Sequence, residues 1–477
     1  MPDGGAGTGQ GPVDGGVTAP DAGVILFGGA GPWPLTNVSY TAADGILETP
    51  VVGTSTDETQ NLWVATHDAL YLLQPGQVKF RRFDASAGLH LATNPVTYCD
   101  TFGDKACPIQ GAAAARGISE IVGGGSQEVF VGFYGVDETA SLDGGILFPD
   151  WTDPDRHTGK MDRVRLTADG TLQVDRFDFV SGVSNEFWHD RTVDRLVFDH
   201  FIHKHDLYVG TNHGVTFLRP DRFRYPNPGE RFDFVNLEWM ADHLHPRVCY
   251  HSACGGTERD NQRMGDWRGL AFDGTGQLWV AGRWTAGLIA QDPRLDPNGT
   301  PDMMDWITRP GEAAYPKAFG DPYDAATTPV GSPAQPVFRP PQEGDPVDLS
   351  AVAVLPDGKV WFASGPYYSG VDDVAYGVAM FDGSAFTPFD PQANLGMGER
   401  NVRDIIALPD GRLVFAGPNT GLVIYNPANG SHVPLTAGGG IPDNAVNRLE
   451  LDMMVNPPAL HVSTNTGASV IRMLPSN

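Results

Sequence analysis

One pattern recurs seven times along this chain with nearly fixed internal spacing. Each copy opens on a short, mostly apolar run and passes through a tight turn, often Asp-Gly. A strand of large apolar residues follows, then small residues, another turn and another apolar strand. The second strands are Leu62–Thr66, Val129–Gly132, Leu207–Thr211, Leu278–Gly282, Val360–Ala363, Leu413–Gly417 and Leu460–Thr464. The residue opening the first strand lies ten positions earlier in five copies: Val52, Ser119, Arg268, Ser350 and Arg403. From Asp194 to Leu207 and from Asn447 to Leu460 the separation is 13, with the extra residues in the first hairpin turn, where insertions are tolerated.

Several copies end in a shared outer strand and turn: Lys79–Leu89, Val174–Val183, Phe386–Gly396 and Ser431–Ile441. A further copy of that ending, Val38–Ile46, stands before the first repeat, and the final repeat runs out without one. The N-terminal strand is therefore expected to complete the last repeat and remove two open sheet edges. With 59 Gly and 39 Pro spread along the chain, many short strands and turns are expected, and helical periodicity is hard to find. The expected fold is all-β: a seven-bladed β-propeller of four-stranded antiparallel blades. It occupies residues 24–477 as one domain, behind a Gly/Pro/Asp-rich disordered tether at residues 1–23.

The residues Leu62–Thr66, Leu207–Gly214 and Leu278–Gly282 resemble repeats of the two-component-regulator propeller family, read roughly as Asp, Gly, Leu-Trp-Val-Gly-Thr, Gly-Leu. The resemblance covers most of the chain after about residue 35. It implies the propeller fold and a sensor or generic binding scaffold. No transmembrane helix, kinase or DNA-binding module accompanies these repeats.

A net charge of −26 argues against nucleic acid, whose phosphates need a basic footprint, and fits a soluble exported protein. No run of about 18 apolar residues is present to span a bilayer. The N-terminal tether resembles the linker behind the lipidated cysteine of bacterial surface lipoproteins. That implies a lipid anchor in the native precursor and a cell-surface, periplasmic or extracellular location. The four cysteines form two local pairs, Cys99 with Cys107 and Cys249 with Cys254. They read as disulfides closing short loops in an oxidising compartment, or as four free thiols in a cytoplasmic one.

In a propeller, the start of each inner strand, the blade-to-blade connections and the turns between second and third strands share one face. The ring of inner-strand openers is Val52, Ser119, Asp194, Arg268, Ser350, Arg403 and Asn447, of which six are polar. They hydrate or brace the channel mouth, or else Arg268 and Arg403 supply cationic forks for a carboxylate or other anion. Three connections are long, His90–Gly117, His245–Asp266 and Gly311–Asp348, and two of them hold the cysteine pairs. Trp188, His189 and Arg191 sit in a shorter connection, and His67, His213, Trp284, Tyr367 and Tyr368 in the turns. Aromatics there suit stacking on sugar rings or peptide side chains, and are equally ordinary loop residues.

The densest group of potential metal ligands is His243, His245, Cys249, His251 and Cys254. Zn²⁺ or copper suits the three histidines, although the spacing fits no standard finger and the cysteines also read as a disulfide. Ca²⁺ enters only through Asp-Gly pairs at Asp273, Asp357 and Asp410, which tight hairpin turns explain better. His200, His203 and His205 fall in a first-hairpin turn on the opposite face, where solvated side chains are expected. No motif identifies a reaction. The expected function is binding of a small molecule, glycan or protein at the channel mouth. The alternative is a metal-assisted lyase or hydrolase, by similarity to propeller enzymes such as streptogramin lyases and lactonases.

Overall fold

The computed structural model describes residues 35–89, 91, 117–133, 160–178, 193–201, 205–211, 215–218, 238–241, 267–282, 286–289, 349–365, 377–383 and 386–473. Among these residues the strands form seven antiparallel sheets, six of four strands and one of three. Sheet I runs outward from Val51–Thr56 through Leu62–Thr66 and Leu70–Leu73 to Arg81–Phe83. The inner strands of sheets II to VI are Ile118–Gly123, Val193–Asp199, Gly269–Phe272, Leu349–Val354 and Asp404–Ala407. Sheet VII contains Val446–Asp452, Ala459–Thr464 and Ala468–Met473, and its fourth strand is Leu35–Tyr40 from the other end of the chain. That pairing runs in unbroken register from Leu35 opposite Met473 to Tyr40 opposite Ala468. Each repeated second strand seen in the sequence lies beside the inner strand of its sheet. This is a β-propeller repeat fold.

Each inner strand packs on the inner strand of the next sheet, from I through VII, and that of VII packs on that of I. The sheets meet face to face through buried side chains, among them Trp63, Tyr71, Phe130, Tyr208 and Phe362. Each large side chain moved out of water contributes roughly 1.5–3 kcal/mol, so the junctions carry most of the stability. Backbone bonds add to them. The Ile118 amide donates to the His67 carbonyl, Trp267 to Thr211, and Val402 to Ser364, each tying the start of one inner strand to the preceding sheet.

Two recurring turns explain the sequence pattern. Asp57 accepts the amides of Thr59 and Asn61 and the indole N–H of Trp63. Asp273 does the same for Thr275, Gln277 and Trp279. One aspartate thus fixes the hairpin and the first ring of the next strand, as local side-chain bonds to backbone do. The outer strands end in a single helical turn closed by a glycine at positive φ, Gly45, Gly88 or Gly396. The following residue, Ile46, Leu89 or Met397, is buried. Only glycine takes that conformation without strain, which accounts for the recurring Gly-apolar ending.

Candidate functional site

The residues expected to open the inner strands share an unusual backbone position. In sheet I, Val51 pairs with Thr66 and Gly53 with Ala65, leaving Val52 as the extra residue of a bulge. Ser119, Asp194, Ser350 and Asn447 are the extra residues of sheets II, III, V and VII. In sheets IV and VI the amides of Arg268 and Arg403 donate to the carbonyls of Ala281 and Ala416, which already face Gly269 and Asp404. All seven ring positions therefore place two residues against one. Bulges re-aim side chains at the ends of sheets.

Three of these residues bind the sheets together. The Ser119 hydroxyl donates to the Val193 carbonyl at 2.7 Å, and Ser350 donates to the equivalent carbonyl of Val402. Asn447 Nδ2 donates to the carbonyl of Val51 at 2.9 Å. Each bond runs from a bulge to the equivalent residue of the following sheet, with sheet I following sheet VII. Arg403 Nη1 donates to Asn447 Oδ1. Val52 is buried and apolar.

An extra residue interrupts strict alternation, so the next residue also reaches the centre. Those residues in sheets II, III, VI and VII are Glu120, Arg195, Asp404 and Arg448. Arg195 Nη1 lies 2.9 Å from Asp404 Oδ2. Arg448 pairs with Glu120, lies 3.9 Å from Asp404 Oδ2, and donates to the Asp194 carbonyl at 2.8 Å. The Leu449 amide also donates to Asp404 Oδ2. Sheets III and VI are not neighbours, so this network crosses the centre and forms a charged floor beneath the bulge ring. Glu120 and Asp404 are buried.

Burial pushes the Glu120 carboxyl up, against the pull of Arg448 and Arg195. Asp194 is pushed to about 7, again first by burial, with Arg268 and Arg448 pulling the other way. Asp194 Oδ2 is buried and accepts no hydrogen bond among the described residues. A buried acceptor left bare is costly, so the position calls for a donor or a proton. Perturbed carboxyls of this kind concentrate at functional sites.

His67, in the turn after the second strand of sheet I, holds the Ile118 carbonyl within 3.0 Å of Nδ1 and so belongs to the junction between sheets I and II. His213, Trp284, Tyr367, Tyr368, Trp188, His189 and Arg191 lie outside the described residues. So do the histidines 243, 245 and 251, all four cysteines and the three long connections, apart from Leu91 and the terminal residue Gly117.

On the opposite face the expectation of solvated histidines fails for His200. Its ring packs 4.7 Å from that of Phe198, and burial lowers its pKa. Glu58 of sheet I reaches across to it, with Oε1 3.4 Å from His200 Nδ1 and 2.7 Å from His205 Nε2. The lengthened first hairpin of sheet III provides that reach. His203 lies outside the described residues.

Sequence reasoning missed Glu120, Arg195, Asp404 and Arg448. The available signal was the residue after each ring position, which is charged in these four repeats with both signs represented. No helix among the described residues is long and apolar enough to cross a membrane.

No family model and no curated protein matches the chain. Solved structures do. A structure of the mitotic checkpoint complex aligns with TM-score 0.45 and 11% identity, covering 92% of this chain and 94% of that one. Virginiamycin B lyase from Staphylococcus aureus, bound to quinupristin, aligns at 0.42 and 10%, covering 92% of this chain and all (100%) of that one. The extracellular domain of a hybrid two-component system from B. thetaiotaomicron gives 0.35 and 12%, over 88% of this chain and 51% of that one. At these scores the likenesses carry no functional argument.

Proposed function

We propose that this chain is an exported, seven-bladed binding propeller, closed by its N-terminal strand, that holds a carboxylate-bearing ligand at the bulge ring. The ring reading draws support from Asn447, which treats Val51 as the next repeat just as Ser119 treats Val193. Export draws support from the acidic composition and the two local cysteine pairs.

The observation that carries the binding reading is Asp194. Its Oδ2 has no hydrogen-bond partner among the described residues, in a ring that also contains Arg268 and Arg403. Guanidinium forks take a ligand carboxylate, and Asp194 takes a hydroxyl or ammonium donor on the same molecule. Sugar acids and peptide termini present both groups, whether free or as part of a glycan or protein. The network supplies recognition, and no bond-making step is assigned to it.

A thermal-shift panel of neutral sugars, uronic acids and short peptides tests this reading. The expected result is stabilisation by carboxylate-bearing members, lost in Asp194→Asn. Equal response to neutral and anionic compounds, or none to either, would overturn it.

A further inference from the structure

The junction between sheets VII and I differs from the others in its inner half. Between sheets VI and VII, beyond the Asp404 bond to the Leu449 amide, the packed side chains Val414, Ala416, Val446, Leu449, Leu460 and Val462 form an apolar cluster. Between VII and I the inner contacts are polar. Thr54 Oγ1 and Ser463 Oγ are 2.8 Å apart, and Thr56 Oγ1 donates to Asp452 Oδ2 at 2.8 Å. Gln60 Nε2 donates to the same oxygen at 3.1 Å, and Ser55 donates to Glu450 Oε1. Apolar packing resumes only farther out, around Leu62, Val64, Tyr71 and Ala468.

Among these groups sits His461, 1% exposed. It pairs across the sheet with Glu450 on one side and Val470 on the other, so the three side chains share one face. Neither ring nitrogen has a hydrogen-bond partner among the described residues. The charged groups acting on it are Asp452, which favours its protonation, and Arg472, which opposes it. Glu450 is the remaining ionisable neighbour, and sheet I brings Thr54, Thr56 and Gln60 to the junction.

We propose that this junction is an acid-sensitive latch, in which protonation of His461 favours separation of sheet VII, with its N-terminal strand, from sheet I. An imidazole without partners is tolerated there only while neutral, and a separated junction lets water hydrate its charged form. Burial holds its pKa at about 4 in the closed junction, against roughly 6.5 when exposed. The separated state therefore binds more protons between those values, and closure weakens as pH falls through that window. Glu450 works in the opposite direction, because burial raises its pKa and closure retains its proton.

Amide hydrogen exchange on the full chain, normalised to intrinsic rates, tests the latch. The readout is protection of Leu35–Tyr40 and Ala459–Thr464 at pH 7 and pH 5. Linkage gives a loss of about twentyfold between pH 7 and pH 5 in Glu450→Gln, where the opposing group is gone. Wild type loses less, and His461→Leu loses none. Identical profiles in all three, or equal loss in Val360–Ser364 of sheet V, would overturn the proposal. Should His461→Leu not fold, the wild-type imidazole NMR titration decides. A neutral ring down to about pH 5 is expected, and ordinary titration with Leu35–Tyr40 still protected would refute the latch.

Discussion

Asn447 donates its side-chain amide to the carbonyl of Val51, 396 positions away in the chain. The bond joins the last inner strand to the first in the way Ser119 joins sheet II to sheet III. Asn447 also accepts from Arg403, so one amide couples three sheets. Asn447→Ala leaves the Val51 carbonyl bare and is expected to cost roughly 1–3 kcal/mol. The shift in urea midpoint measures it, with Ser119→Ala as the internal comparison. No shift in either would show that water replaces these bonds freely.

The N-terminal strand offers a direct cross-link. Ser39 and Ser469 face each other in the register of sheet VII, with hydroxyl oxygens 2.9 Å apart. The double substitution Ser39→Cys with Ser469→Cys should oxidise to a bridge detectable in unreduced peptides by mass spectrometry. A bridge-free double variant would place the strand elsewhere.

The charged floor should respond asymmetrically to mutation. Asp404→Ala strands the Arg195 guanidinium in a buried site, at an expected cost of about 3–5 kcal/mol. Replacing both partners, Arg195→Met with Asp404→Leu, should recover most of that loss. Denaturant midpoints of the three variants check it. Additive losses would mean that the two residues act independently.

The pH dependence at Asp194 has a definite sign. Its folded pKa of about 7 lies above the ordinary carboxyl value of 3.8, so the folded chain holds the extra proton between those limits. Its contribution to stability is complete below about pH 4 and is lost as pH rises towards 7. Asp194→Asn removes that dependence and should gain on wild type steadily from pH 4 to pH 8 in melting experiments. A gain that shrinks with pH would mean that Arg268 and Arg448 outweigh burial.

The repeat was legible because its markers are local. Asp57 and Asp273 fix turns a few residues away, and Gly45 and Gly88 close turns that only glycine closes without strain. Val38–Ile46 was legible as a missing outer strand and turn for the same reason, although the strand itself runs from Leu35 to Tyr40. The charged floor was not. Alternation assigns each strand one inward residue in two, and the bulge at Asp194 breaks that rule by bringing Arg195 inward as well. Arg195 and Asp404 are also 209 positions apart, on sheets that are not neighbours, a relation that no local pattern encodes. Glu58 and His205 meet across sheet II through a lengthened hairpin, and spacing alone gave that hairpin no destination.

Arg403 tests the binding reading most directly. Calorimetric titration of the full chain with a uronic acid, in wild type and Arg403→Ala, separates recognition from bracing. A charge-assisted hydrogen bond is worth about 1.5–3 kcal/mol, so affinity should fall by about one to two decades. The melting temperature should move little, since Asn447 keeps its own bond to Val51. Unchanged affinity together with a marked drop in melting temperature would contradict the reading and leave Arg403 as a structural brace.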